Sequence, residues 1–267
     1  MEMRFMSLGS GSSGNCYYLA AGRTAILIDA GIGIRKTKSI LKDNGIDIGT
    51  IDAVLITHDH LDHVRSAGWL GERAGIPVYA TAEVIGGINR NYCIRQKLRG
   101  SARAVTKGER VVIGDFAATP FAVPHDSVDN VGWRIEAGGR AFVLVTDCGQ
   151  ITDEVKAHAT GADYLVIETN YDAMMLENGP YPRQLKERVK SCTGHLCNTE
   201  AAMFVADNYR DNLRHVWLCH ISQDNNRPEV AEQTVTLALE AAGIAVGRDV
   251  EVTPLARYVP SQLYTLE

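Results

Sequence analysis

The 267 residues suffice for one large two-layer domain or two small ones. A content of 45% hydrophobic and 22% charged residues is that of a globular chain and excludes disorder for the bulk of it. The net charge of −5 argues against a general nucleic-acid binder. No apolar run approaches the roughly 20 residues of a membrane-spanning helix. The opening "MEMRFMSLGS" lacks a basic stretch followed by an apolar core, so a cytoplasmic protein with no membrane partner is expected.

The chain begins as β-structure. "RFMSL", "CYYLAA" and "TAILIDA" are apolar stretches separated by Gly- and Ser-rich turns, the pattern of a meander. A helix from Ile34 to Asn44, closed by Gly45, follows. "DAVLIT" is continuous rather than alternating and predicts a strand buried on both faces. "VRSAGWLGERAG" predicts a helix and "IPVYAT" a strand. The second half predicts strands at "RVVIG", "DFAATPFAV", "NVGWRIEA" and "RAFVLVTD", then helix "DEVKAHATG" and strand "DYLVIE". Helices over Tyr181–Ser191 and Asn198–Tyr209, strand "HVWLC", a helix over Pro228–Ala242 and strand "DVEVTPL" complete the pass. Two packed sheets with helices outside bury all these faces.

Apolar strands run directly into His58, His125, Asp147, Glu168 and His220. Strands that end in ligand-type residues present them at one rim of a sheet, so a shared site is expected. The densest signal is "THDHLDHV" at 57–64. In an extended segment His58 and His60 share a face and can grip one ion. Asp62 and His63 lie where the chain turns into a helix and can point to a neighbouring position. Imidazole and carboxylate donors suit zinc, manganese or iron(II). Cys16, Cys93, Cys148, Cys192, Cys197 and Cys219 form no Cys-x-x-Cys pair and read as free thiols, with Cys148 and Cys219 as small buried filler.

The H-x-H-x-D-H run after a buried strand resembles the signature of the metallo-β-lactamase superfamily. The resemblance implies an α+β, four-layer αββα sandwich over a single domain, residues 1–267. It implies one ion on His58, His60 and His125, a second on Asp62, His63 and His220, and Asp147 between them. Two divalent ions, zinc or manganese with iron also fitting, are the expected cofactors. A water shared by two such ions ionises near neutral pH, and hydroxide is the expected nucleophile.

Members of this superfamily cleave several bond types, and fold alone does not choose among them. "CTGHLCN" and "VIETN" resemble motifs of the nuclease branch, which implies that His195 assists the leaving oxygen and Glu168 orients it. Asp62, His195 and Glu168 are therefore the expected catalytic residues. A phosphodiester needs such a proton donor more than an enol or thiolate leaving group does. The bland reading of His195 is a residue at a helix N-terminus.

"GSGSSGN" at 9–15 and "SQDNNRP" at 222–228 are anion-ready turns, with Ser12, Asn15, Ser222 and Asn225 as candidate substrate contacts; singly, each is an ordinary turn or cap. Residues 90–110 carry seven Lys and Arg against Glu109, so this segment is +6 and the remainder −11. Arg95, Lys97 and Arg99 are its candidate substrate contacts; the alternative is a solvated face. Arg183, Lys186, Arg188 and Lys190 form a second basic cluster.

"GSGSSGNC", "THDHLDH" and "HISQDNN" together resemble the YycJ/WalJ-like branch. That implies a phosphodiesterase, most of all a DNA exonuclease acting from 5′-phosphorylated ends, with DNA favoured over RNA as partner. Cys197 stands where Ser is expected. The 72 residues between Asp147 and His220 leave no room for the inserted domain of RNA-processing nucleases. The competing expectation is a small-molecule hydrolase of the same fold: a glyoxalase II-like thioesterase, a lactonase or a cyclic phosphodiesterase. It would share the metal ligands but need neither His195 nor the basic segment.

Overall fold

The computed structural model describes residues 1–266. The first half builds β1 (Met3–Gly9), β2 (Cys16–Ala21), β3 (Thr24–Ile28), β4 (Ala53–Leu55), β5 (Val78–Ala80) and β6 (Ala102–Ala104). The second builds β7 (Val111–Ile113), β8 (Phe116–Ala122), β9 (Val131–Ala137), β10 (Arg140–Val145), β11 (Tyr164–Glu168), β12 (His215–Cys219) and β13 (Glu251–Pro254). The last strand, β14 (Tyr264–Leu266), returns to pair antiparallel with β1. The result is two sheets of seven strands among the described residues, ordered β14-β1-β2-β3-β4-β5-β6 and β13-β12-β11-β10-β9-β8-β7.

Alternation within each strand creates three apolar layers. Phe5, Tyr17, Leu19 and Ile26 of the first sheet meet Trp133, Phe142, Val166 and Trp217 of the second. Their neighbours face outward, where Leu27, Val54 and Val78 pack on helices α1 (Ile34–Asp43), α2 (Leu61–Val64), α3 (Ala67–Glu72) and α4 (Ala82–Arg90). On the far side Val143, Leu165 and Leu218 pack against α5 (Asp153–Ala159), then, past α6 (Ala173–Asn178) and α7 (Arg183–Val189), against α8 (Asn198–Asp207) and α9 (Pro228–Ala241). The strands bury both faces, which is why their sequences are continuous in hydrophobicity. This is the expected four-layer αββα arrangement.

Some elements differ from expectation. The helix over 64–75 is two pieces, because Ser66 leaves the helical ladder to bond Ala30 and Ile32. Helix α4 was not expected, since Gly86 and Gly87 lower its propensity. Thr81 caps it, its Oγ1 accepting from the Val84 N–H. Gly87 serves packing: a Cβ there would lie 2.2 Å from the Asp59 carboxylate. Helix α6 and strands β6 and β14 were also missed, each too short for a periodic signal.

Candidate metal centre

The ligand-type residues come together from both sheets. His58 follows β4, and Asp62 and His63 form the first turn of α2. His125 follows β8, Asp147 follows β10, and His220 follows β12. Asp147 and His220 have φ of 51° and 50°, the left-handed region, as does Asp29 at 60° after β3. Asp and His enter that region more readily than bulky residues, so the sharp corners and the ligand chemistry ask for the same residue types.

Donor atoms of His58, His60 and His125 lie within 4.8 Å of one another, as do those of Asp62, His63 and His220. Asp147 stands between the groups. Its Oδ2 is 3.1 Å from His63 Nε2, and its Oδ1 is 3.7 Å from His125 Nε2 and 3.4 Å from His220 Nδ1.

The hydrogen bonds behind each ring decide which nitrogen faces the site. His63 Nδ1 donates to Asp29 Oδ2 at 2.7 Å, His125 Nδ1 to the Gly194 carbonyl at 3.0 Å, and His220 Nδ1 to Glu168 Oε1 at 3.0 Å. His58 Nδ1 contacts Thr57 Oγ1 at 3.0 Å. Each turns Nε2 toward the site, the usual arrangement of a metal-binding imidazole, with His63 Nε2 also within 2.8 Å of Asn15 Nδ2. Among the described residues, Nε2 of His58 and of His220 are buried without a hydrogen-bond partner. His125 Nε2 and His60 Nδ1 face each other at 3.3 Å. Orphaned buried nitrogens converging beside carboxylates are a set that a divalent cation satisfies and water-filled space does not.

The field agrees. Burial works against charge on His63, yet Asp147, Asp29 and Asp62 outweigh it and hold its pKa well above the ordinary value. Burial likewise opposes charge on His220, but Asp147, Asp62 and Glu168 raise its pKa to about 10. At His58 and His125 burial and the neighbouring imidazoles win instead and push the pKa below the ordinary value, so the positive charge is favoured on the side of Asp62 and Asp147.

Glu168 is fully buried at the end of β11. Its Oε1 accepts from His195 Nδ1 at 2.8 Å as well as from His220, and its Oε2 accepts the Cys148 and Leu196 N–H groups. Burial disfavours its ionised form, but His195 and His220 hold its pKa below the usual range. His195 responds in kind: Glu168 and Asp147 overcome burial and raise its pKa. Cys197 occupies the N-cap of α8, where its N–H reaches Glu200.

The other candidate contacts divide. Ser12 and Ser222 line a cavity of about 170 Å³ beside His195 and His220, together with Asn170, Tyr181 and Arg188. Arg257 donates to Ser12 Oγ at 2.9 Å. Asn15 and Asn225 are buried instead. The Asn15 side chain bonds Gly11 and reaches His63 Nε2 at 2.8 Å, and the Asn225 Nδ2 bonds Ser222 Oγ, so both support the site rather than face a substrate.

The basic segment 90–110 is not one track. Lys97 is tied to the Asn91 carbonyl, Arg103 to Gly100 and Ala102, and Lys107 to Asp129, while Arg110 lines a separate cavity with Gly138 and Asp163. Arg90, Arg95 and Arg99 remain exposed. Arg183, Lys190 and Arg188 pair with Glu187, Glu177 and Asp126.

Sequence reasoning missed Asp29 and Thr57. Asp29 Oδ1 accepts from the Thr57 N–H at 2.9 Å, and both carboxylate oxygens accept from the Thr57 hydroxyl, so one buried carboxylate sets His63 and, through Thr57, His58. The signal was present: "TAILID" ends a strand on an acid just as the other site strands do. Asp29→Asn should weaken cation affinity by about 10- to 100-fold, because its amide would face donors on both Thr57 and His63. Chelator competition measures this, and affinity within about twofold of the parent would remove Asp29 from the site's support.

A family model described as a beta-lactamase superfamily domain matches residues 24–221. The chain belongs to the metallo-β-lactamase superfamily. Within the superfamily, it is 32% identical to exodeoxyribonuclease YycJ of Bacillus anthracis, across 98% of this chain and 99% of that one. It is 31% identical to exodeoxyribonuclease WalJ of Streptococcus pneumoniae serotype 2, across 93% of each. Of solved superfamily folds, Bacillus subtilis YhfI superposes with a TM-score of 0.74 at 17% identity, covering 99% of this chain and 100% of that one. Zn(2+)-bound PqqB of Methylobacterium extorquens superposes at 0.71 and 20%, covering 97% and 99%. No helix among the described residues is long and apolar enough to cross a membrane.

Proposed function

We propose that this chain is a metal-dependent hydrolase of phosphodiester bonds, and that it degrades DNA from 5′-phosphorylated ends in the cytoplasm. The observation that carries the reading is the buried Glu168 carboxylate, which holds His195 at 2.8 Å beside the two donor groups. It is supported by the exodeoxyribonuclease relatives that match nearly the whole chain.

His58, His60 and His125 would hold one cation and Asp62, His63 and His220 a second, with Asp147 shared; zinc and manganese both suit these donors. Bound there, the cations supply Lewis acidity that activates water and neutralises phosphoryl oxygens. The remaining work belongs to side chains. Water oxygen joins phosphorus as the bond from phosphorus to the 3′-oxygen breaks. That oxygen leaves as an alkoxide and needs a proton. Glu168 engages Nδ1 of His195, which leaves Nε2 to deliver it. The fragment departing on the His195 side is the 5′-terminal nucleotide. The adjoining cavity of about 170 Å³ offers Ser12, Ser222, Tyr181 and Arg188 as donors. A terminal phosphate would meet these donors beside His195. Each cut leaves a new 5′-phosphate on the shortened strand, so the same end is presented again.

A cleavage panel with manganese and with zinc tests this. Duplex DNA with 5′-phosphate should be shortened fastest, 5′-hydroxyl DNA more slowly, and a thioester hardly at all. Rapid thioester or lactone hydrolysis with intact DNA would make the chain a small-molecule hydrolase.

A further inference from the structure

We propose that Tyr92 is a stacking platform for a base of the nucleic-acid substrate, on a loop braced against the metal-ligand segment. The inference rests on the nucleic-acid reading above and adds a contact that no residue so far supplies. Tyr92 is 93% exposed, more than any other large hydrophobic side chain among the described residues. Its loop is nonetheless well pinned. Ile94 and Leu98 are buried beneath it at 3% and 2% exposure. Asn89 brackets Leu98 through both N–H and carbonyl, and the Asn91 carbonyl accepts from the Ile94 N–H and from Lys97 Nζ. An aromatic ring held in water by an ordered loop gains nothing in the folded chain alone.

The loop is held between α4, which packs on the segment that carries His58 to His63, and α3, which follows that segment. The Asn91 N–H closes the last turn of α4 on Gly87, and Gly87 lies against the Asp59 carboxylate. Across the loop, the Gln96 carbonyl presses on Gly68, where a Cβ would come within 1.7 Å. Val128, 48% exposed, approaches the same Asp59 through its N–H at 3.4 Å. Tyr92 thus follows directly on a loop end anchored, through Gly87, to Asp59 between His58 and His60, and it shares its stretch of chain with the exposed cations Arg90, Arg95 and Arg99. A π-face among backbone-seeking guanidinium groups is the arrangement that grips single-stranded or frayed nucleic acid without reading sequence.

The test measures binding of a cleavage-resistant, phosphorothioate-linked oligonucleotide by fluorescence anisotropy, alongside cleavage of ordinary DNA. Tyr92→Ala should weaken binding by about 5- to 150-fold, the effect of losing one base–aromatic stack. Tyr92→Trp should restore it. The loss should vanish on an oligonucleotide made abasic throughout its terminal stretch. Raising salt should erode the contribution of Arg95 and Arg99 but not that of Tyr92. Equal binding by parent and Tyr92→Ala, or an equal loss on abasic DNA, overturns the proposal while leaving the nuclease reading intact. Tyr92-dependent binding without any cleavage of DNA would uphold the platform and overturn the nuclease. Failure of the parent to bind nucleic acid overturns both.

Discussion

Asp147→Ala should reduce bound cation from two per chain to fewer than one and slow cleavage by at least the roughly 100- to 1,000-fold that loss of one electrostatic stabiliser costs. Its carboxylate faces both donor groups: one oxygen approaches His63, while the other approaches His125 and His220. Its removal also leaves several buried imidazoles facing one another with less negative charge between them. The left-handed backbone at this position adds a second effect, since alanine tolerates φ near 51° less well than aspartate. Asp147→Asn separates the two, because asparagine accepts the backbone but carries no charge. Elemental analysis of both variants decides the matter; two ions at full occupancy in each would show that Asp147 does not bridge.

His195→Ala should behave differently. Cation content should stay at the parental level while DNA cleavage falls by about 100- to 10,000-fold, the usual worth of a lost proton donor. A substrate whose leaving group departs as a stable anion, such as bis-p-nitrophenyl phosphate, should be slowed much less. His195 Nδ1 is committed to Glu168, and Glu168 also holds His220. Glu168 variants should therefore lose both functions together, and only His195 separates them. If cation content dropped with His195→Ala, His195 would be a ligand, as its place in the cluster with Asp147, Glu168 and His220 permits. Equal slowing of both substrates would remove it as the proton donor.

The candidate donor set, which the structure brings together, was legible because its chemistry is local and its geometry simple. His58, His60, Asp62 and His63 are read from six consecutive positions, and His125, Asp147 and His220 from the ends of strands whose hydrophobicity is unbroken. What escaped was determined by contacts across the fold. Asp29 carries the same strand-end mark, but its partner Thr57 lies 28 residues on. Asn15 and Asn225 looked like turn residues offered to a substrate, and only packing shows that they turn inward. The basic segment looked continuous because charge can be counted along a chain, whereas salt bridges to Asp129 and hydrogen bonds to carbonyls cannot. Helix α4 was hidden by the glycine that lets it approach Asp59.

The donor groups draw on two separate sheets: His58 to His63 on one side, and His125, Asp147 and His220 on the other. Ions chelated across that seam would act as rivets between halves that otherwise meet through their apolar layer and a few hydrogen bonds, such as Trp133 Nε1 to the Ile56 carbonyl and the His220 N–H to Ser10 Oγ. Losing metal and loosening the seam are then linked equilibria. Free ion at a hundred times its dissociation constant adds about 2.7 kcal/mol to the apparent stability for each independent site. Where transition metal is scarce, the apoprotein should then be the poorer in persistence as well as in turnover.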